Sequence, residues 1–390
     1  MRRAPSALTF LAVLALAIAP AAAQRNRQRA PPPPPPPAVA QHVTIMDGAS
    51  GAILRCDDCE TPVAPASMSK LMTVLIVLEA LEAGRISLDT QFTMTDELWR
   101  QHQTGGSTMF IPARAQVAVR DLLQGAIVVS ANDACGLLAQ GVGGSQEAFV
   151  ALMNRRAQEL GLRSASFRNP TGLDDPGHRI STADLARLAR HIIVTYPQYY
   201  RLYSQREFTF NNITQRNRNP LLGAFAGADG MKTGNTDESG YGLVGSAVQN
   251  GQRRIIVFNG LPTMAARASE AQRLMRSAFE DYAITTLAEA GAEVGRAQVR
   301  LGGRRTVPLV TERAILVGGP RGSLAAARAY IVYNGPLAAP IARGQVVAHL
   351  VVERPGFPTE RYELQAGRRV GKANWFVRFW EGLRLTLFGP

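Results

Sequence analysis

Ser67-Met68-Ser69-Lys70-Leu71-Met72-Thr73-Val74-Leu75-Ile76-Val77-Leu78 opens a run that stays almost wholly apolar to Ala83 and stops at Gly84. A helix that is apolar on every side must be covered on every side, so this stretch predicts a helix threading the middle of a sizeable core. Up to Leu78 its one charged residue is Lys70. Spacing of three on a helix brings the Ser67 hydroxyl and the Lys70 amine to one face, within reach of each other. A serine at a helix N-terminus sits where developing negative charge is favoured, and a desolvated lysine can give up its proton and serve as the base the serine needs.

The composition sharpens this reading. At 390 residues, 46% hydrophobic and 19% charged, the chain is globular and long enough for about two domains. Its formal charge is +13, yet only Lys70, Lys232 and Lys372 are lysine, against forty arginines. Arginine keeps its proton near neutral pH and lysine need not, so each surviving lysine calls for a chemical explanation. Three cysteines make no disulfide framework. The histidines His42, His102, His178, His191 and His349 are scattered, without His-Glu-x-x-His or paired Cys/His spacing. No metal and no cofactor is expected. Cys56 and Cys59 either bridge in an oxidising compartment or stay free thiols, and Cys135 reads as a packing residue.

Working outward, residues 1–23 read as a signal peptide: Arg2 and Arg3, an apolar stretch from Leu8 to Ile18, and Ala21-Ala22-Ala23 before the cut. Residues 24–39 form a basic, Pro-rich linker in which Pro31 to Pro37 make a stiff extended spacer. Val43–Met46 and Ala52–Arg55 flank a Gly-containing turn, and Gly240–Val248 and Arg254–Phe258 flank Asn250-Gly251, so two hairpins are predicted. Helices are expected at Val119–Gly125, Asn132–Val142, Gln146–Leu160, Thr182–Val194 and Ser269–Glu289. After Gly291 short β-rich runs alternate with Gly and Pro turns.

Two tripeptides join Ser67 and Lys70. Ser130-Ala131-Asn132 follows an apolar run and starts a helix; alone it reads as an ordinary N-cap. Lys232-Thr233-Gly234 is placed on a strand beside the Asn250-Gly251 hairpin, where the glycine would let a ligand backbone approach the strand edge. Each is weak alone. Ser-x-x-Lys, then Ser-x-Asn, then Lys-Thr-Gly, in that order, is the signature of penicillin-binding proteins and serine β-lactamases.

From about Val43 onward the sequence resembles the low-molecular-weight D-alanyl-D-alanine carboxypeptidases of the penicillin-binding protein 5/6 type, serine DD-peptidases of the peptidase S11 family. Further stretches carry the likeness: Thr171-Gly172-Leu173-Asp174, Glu207-Phe208-Thr209-Phe210-Asn211, Asn217-Arg218-Asn219 and Ser239-Gly240-Tyr241. The resemblance implies an α/β (α+β) serine DD-peptidase domain over 40–288, with a central antiparallel sheet flanked by helices. A small all-β domain over 289–368 would follow. Residues 369–390 would form an amphipathic membrane-surface helix, with Trp375, Phe376, Phe379, Trp380, Leu383 and Leu387 on one arc and Arg378, Glu381 and Arg384 outside it.

The resemblance also assigns roles. Ser67 is the expected nucleophile, Lys70 its base and Ser130 a proton relay. Asn132, Lys232, Thr233, Gly234 and Asn235 are expected to bind substrate, with the backbone N–H groups of Ser67 and Asn235 forming the oxyanion hole. Arg218, in Asn-Arg-Asn, and Arg267, by its spacing from Lys232, are expected to read a carboxylate. The implied activity is a serine-type D-Ala-D-Ala carboxypeptidase that trims the terminal D-alanine from peptidoglycan stem pentapeptides and is inhibited by β-lactam antibiotics. It would be periplasmic, held peripherally on the outer face of the bacterial inner membrane by its C-terminal helix, with no nucleic-acid partner. Two rivals stand beside it. A class A β-lactamase needs a Glu-x-x-Leu-Asn string that is absent here, and a non-catalytic peptidoglycan-binding scaffold of the same fold would need neither the serine nor both motif lysines.

Overall fold

Ile255 and Val257 face one side of their strand and Ile256 and Phe258 the other, and this two-residue alternation sets a sheet between two helical layers. The computed structural model describes residues 39–102, 105–322 and 327–375. The expected signal peptide, nearly all of the Pro-rich linker and the expected surface helix beyond Trp375 lie outside them; the helix expected from residue 369 does not begin there, because Val370 and Lys372 form antiparallel bridges with Ile341 and Gly302.

In chain order the first elements are β1 (Val43–Asp47), β2 (Ile53–Asp57), a 3-10 turn (Ala66–Ser69), α1 (Lys70–Glu82), β3 (Gln91–Thr93), α2 (Asp96–His102) and β4 (Gln116–Ala118). There follow α3 (Val119–Gln124), a π-helical turn (Gly125–Val129), α4 (Asn132–Gly143), α5 (Gln146–Glu159), α6 (Thr182–Thr195), α7 (Pro197–Tyr200), β5 (Glu207–Phe210) and β6 (Ile213–Arg216). The body closes with β7 (Ala228–Thr236), β8 (Gly240–Gln249), β9 (Gln252–Leu261) and α8 (Met264–Glu280). Strands β2-β1-β9-β8-β7 pair antiparallel throughout, with β7 at the edge. Both expected hairpins are present, as β1–β2 and β8–β9.

On one face, Val43, Ile45, Leu243, Ile256 and Phe258 pack against Leu274 and Met275 of α8. On the other, Met46, Val244, Ile255 and Val257 join the larger core with α1, α4, α5 and α6. Leu71, Leu75, Val77 and Leu78 of α1 are fully buried on all sides, as the unbroken apolar run requires.

One helix ends earlier than its sequence suggested. The expected Ser269–Glu289 segment is α8 only as far as Glu280, and Tyr282–Ala288 is instead strand β10. Two effects stop the helix. Arg321 donates from Nε to the Glu280 carbonyl at 2.7 Å, satisfying an end group that the next turn would otherwise take. Beyond it Ile284, Thr285 and Thr286 are β-branched and pair with Gly318, Val317 and Leu316.

The chain then runs through β11 (Glu293–Arg300), β12 (Thr306–Thr311), β13 (Ile315–Pro320), β14 (Arg328–Val332), β15 (Leu337–Ala338), β16 (Val346–Glu353) and β17 (Glu360–Ala366). These make an all-β unit: β10 pairs with β13, and the other strands form a sheet in the order β14-β16-β17-β12-β11-β15. Its own core holds Val307, Leu309, Val317, Leu350, Val352 and Leu364. Strand β13 lies on β2 so closely that a Cβ at Gly318 would stand 2.4 Å from Leu54 Cδ2. Cys56 and Cys59 are bridged, which resolves the alternative left open by the sequence; Cys135 is buried in α4.

Candidate active site

The turn that carries Ser67 is built from a backbone conformation that side chains rarely adopt. Ala66 is a buried non-glycine residue at φ +48°, and it delivers Ser67 to the N-terminus of α1. Such conformations cost of order 1–3 kcal/mol each and persist only where surrounding contacts hold them. Here the contacts come from two sides. Edge strand β7 presses on the turn: a Cβ at Gly234 would lie 2.9 Å from the Pro65 carbonyl oxygen and 3.1 Å from both Ala66 Cβ and Met68 Cγ. The missing side chain at Gly234, expected from the sequence to admit a ligand backbone, makes room for the Ser67 turn. From the other side the loop at Asn169–Leu173 closes in, with Asn169 Oδ1 accepting from the N–H groups of Thr171 and Gly172 at 3.1 and 2.7 Å.

Lys70 is wholly buried at the centre of these pieces. Its Nζ donates to Ser67 Oγ at 2.8 Å, to Asn132 Oδ1 at 2.7 Å and to the Thr171 carbonyl. Burial lowers its pKa to about 8; the Cys135 thiol opposes that shift, Arg218 adds to it and Asp133 opposes it. An amine with two N–H groups fixed on Asn132 and Thr171 has its third direction on Ser67, and when neutral that direction is a lone pair aimed at the hydroxyl. The serine itself is only partly covered. A hydroxyl open to solvent beside a dry amine is the asymmetry that nucleophilic catalysis requires.

The second motif reaches the site through the π-helical turn. Ser130 follows that turn at φ +64° and is 5% exposed. Two residues on, Asn132 donates its backbone N–H to the Ser107 carbonyl at 2.7 Å. Asp133 holds the same loop, accepting from the backbone N–H groups of Met109 at 3.0 Å and Ile111 at 3.1 Å. The side chain at Asn132 is therefore fixed by neighbours on both sides rather than capping its own helix, whose N-cap is Ala131 without a side-chain bond.

On β7, Lys232 and Gly234 are two residues apart and so share the face turned to the Ser67 turn. Lys232 and Thr233 are 3% and 7% exposed, and Asn235 is exposed at the strand's outer end. Lys232 is pushed well below the usual lysine range by burial and then by the charge of Lys70. Its Nζ donates to the Thr233 carbonyl at 3.0 Å.

The two arginines meet at the same end. Arg267, on α8, is 3% exposed, stacks 5.4 Å from the Tyr241 ring centroid and donates through Nη2 to the Arg218 carbonyl at 3.3 Å. Its Nε is buried with no hydrogen-bond partner, and burial lowers its pKa. Arg218 is exposed and donates to Ser107 Oγ. A buried guanidinium without an acid among the described residues is a ready seat for an anion.

Sequence reasoning assigned no role to Ser107, Asn169 or the Thr171 carbonyl. The turn-forming Asn169-Pro170-Thr171-Gly172 string was the available signal. That a backbone oxygen of it would touch Lys70 depends on tertiary contact alone.

A family profile described as D-alanyl-D-alanine carboxypeptidase matches residues 28–262, and one described as the penicillin-binding protein 5 C-terminal domain matches residues 282–372. The chain is 37% identical over 353 residues to the D-alanyl-D-alanine carboxypeptidase DacA of Haemophilus influenzae, covering 90% of each protein. It is 37% identical over 342 residues to DacC of Escherichia coli, covering 86% of each. Among solved structures it is similar to penicillin-binding protein 5 from Haemophilus influenzae, with TM-score 0.72 and 37% identity over 87% of this chain and 99% of that one. It is also similar to penicillin-binding protein D2 from Listeria monocytogenes in its ampicillin-bound form, at TM-score 0.56 and 30% identity over 62% of this chain and 98% of that one.

Proposed function

We propose, for a chain that belongs to the D-alanyl-D-alanine carboxypeptidase family of serine peptidases, that Ser67 forms an acyl-enzyme with peptidoglycan stem pentapeptides and so releases their terminal D-alanine. The observation that carries this is the Lys70 amine, 2.8 Å from Ser67 Oγ with its other hydrogens directed to Asn132 and Thr171.

With its pKa near 8, Lys70 is neutral in about a tenth of molecules at pH 7. That fraction takes the Ser67 proton as Oγ attacks the carbonyl between the two terminal D-alanines. Backbone N–H groups of Ser67 and Asn235 hold the oxyanion. Ser130 passes a proton to the departing amine, and D-alanine leaves as the carbonyl carbon stays bonded to Ser67. Asn132 holds the acyl peptide until water attacks it, returning the proton to Oγ. Lys232, Thr233, Arg218 and Arg267 hold the substrate's terminal carboxylate, which explains why so much positive charge converges on one small cleft.

Penicillins would acylate the same serine, as the ampicillin-bound relative suggests. The export-type residues 1–23 and the Cys56–Cys59 bridge fit a periplasmic enzyme. Among the described residues no helix is long and apolar enough to cross a membrane, and we place attachment in the amphipathic segment after Ala373, lying on the membrane surface. Mass spectrometry after incubation with penicillin, together with D-alanine release from a pentapeptide, tests the reading. A stable adduct on Ser67 and released D-alanine support it. Rapid drug turnover would point to a β-lactamase, and no adduct to a scaffold.

A further inference from the structure

We infer that the far end of the all-β unit is a cationic platform that seats the enzyme on anionic phospholipid headgroups, independently of the segment that follows Ala373. Three stretches interlock there through their backbones. Gly303 donates to the Gly371 carbonyl and Ala373 to the Leu301 carbonyl, each at 2.9 Å. Ile341 and Val370 exchange a pair of bonds at 2.9 Å, and Ala339 donates to the Arg300 carbonyl at 3.1 Å. These bonds bring residues 299–305, 337–344 and 366–373 into one small region.

Every charge on those three stretches is positive. The first carries Arg300, Arg304 and Arg305, the second Arg343, and the third Arg368, Arg369 and Lys372. All but Arg368, which is half-buried, are exposed. Among the described residues none of the seven forms an ion pair. Elsewhere in the same unit basic residues have acids close by in several places: Arg296 pairs with Glu293 at 2.8 Å, Arg354 with Glu360 at 3.1 Å, and Arg328 stands opposite Glu353 in the β14–β16 register. Like charges gathered without counter-charges raise the energy of the folded state, so their placement is explained by a partner that supplies the anions.

The position selects a membrane among polyanionic partners. The platform surrounds the point where the chain leaves the β unit, and Trp375, at 78% exposure, stands directly after it. Cations beside an interfacial aromatic match the headgroup region of an anionic leaflet. Lys372 is also the one lysine outside the catalytic motifs, and in this setting it is a lipid contact. The inference rests on the proposed work at a membrane surface but assigns a second, electrostatic attachment to it.

The test is partition of the purified protein onto vesicles of phosphatidylethanolamine with and without phosphatidylglycerol, wild type against a variant with Arg304→Gln, Arg305→Gln, Arg369→Gln and Lys372→Gln. Each cation near such a surface contributes roughly fivefold to binding, so four should weaken binding to the anionic vesicles about a hundredfold or more. Binding to neutral vesicles and D-alanine release from a soluble peptide should be unchanged, and raised salt should release the wild type from anionic vesicles. Equal wild-type binding to both compositions, or a variant that binds anionic vesicles like wild type, overturns the platform alone. Failure of the wild type to bind any vesicle overturns the membrane reading with it. Preference for a soluble polyanion over anionic vesicles at equal phosphate shows the partner class to be wrong.

Discussion

A methyl group on Gly172 would stand 2.1 Å from the Ala66 carbonyl oxygen. The loop that presents its Thr171 carbonyl to Lys70 and the turn that presents Ser67 therefore meet backbone to backbone, and neither can take its position without the other. Gly172 is also at φ +76°. Gly172→Ala should force the loop away from the turn and withdraw one acceptor from Lys70. We expect Ser67 acylation by a fluorescent penicillin to slow about a hundredfold, with a stability loss of about 1–3 kcal/mol in thermal unfolding. Gly161→Ala is the control: φ is +70° there, but nothing lies within 4 Å of the added carbon, so it should cost stability of about 1 kcal/mol and leave acylation intact.

That contact marks the boundary of what the sequence discloses. The buried helix was legible because an apolar run without a polar side has one physical solution, and the β8–β9 hairpin because Asn250-Gly251 fits the turn it needs. The extent of α8 was misjudged because Tyr282 to Ala288 is apolar enough to continue a helix. Its pairing with β13 is a long-range fact. Ser67, Lys70 and Lys232 stood out through motif spacing and the scarcity of lysine, and the roles expected of them came from the family resemblance. The supports at Ser107, Asn169 and Thr171 act mainly through backbone groups or local turns that every sequence contains.

If Lys70 is the base, as proposed, its folded pKa of about 8 fixes the pH dependence. Below that value the neutral fraction of Lys70 rises about tenfold per pH unit, so the second-order rate of acylation should climb with unit slope and level off near pH 8. Stability follows with a definite sign. The folded pKa lies below the ordinary lysine value of 10.5, so the unfolded chain binds more protons between about 8 and 10.5. The contribution of Lys70 should therefore rise with pH through that window and be flat below it. A rate profile that is level from pH 6 to 9 contradicts the assignment of Lys70 as base.

Asn132→Asp separates the base from its setting. It puts a carboxylate where Oδ1 now lies 2.7 Å from Lys70 Nζ, which favours the ammonium form. An opposite charge at that distance raises a pKa by about one to three units. The midpoint of the acylation profile should move up by that amount, with the rate at pH 7 falling tenfold or more while the plateau at high pH is partly regained. Loss of rate with an unmoved midpoint would mean that Asn132 acts on the substrate alone.

The Cys56–Cys59 bridge closes a separation of only three residues. Loop-closure entropy for so short a ring comes to about 2 kcal/mol, small beside the core that surrounds β2. The double variant Cys56→Ser with Cys59→Ser should unfold a few degrees lower by calorimetry and retain full acylation. A much larger drop would show that the bridge holds the contact between β2 and β13 rather than a local corner.

Arg267 is costly where it stands: buried, with Nε unpartnered and no ion pair among the described residues. Its stacking on Tyr241 and its bond to the Arg218 carbonyl offset only part of that cost, so Arg267→Gln should match or exceed wild type in thermal stability. Its effect should fall on substrate. Hydrogen bonds to a charged group contribute about 1.5–3 kcal/mol, so kcat/KM for a peptide ending in a free carboxylate should fall roughly ten- to a hundredfold. A peptide amidated at that end should be a poor substrate for the wild type and no poorer for the variant. If the variant loses as much on the amidated peptide as on the free acid, the guanidinium supports the site's shape and does not read the carboxylate.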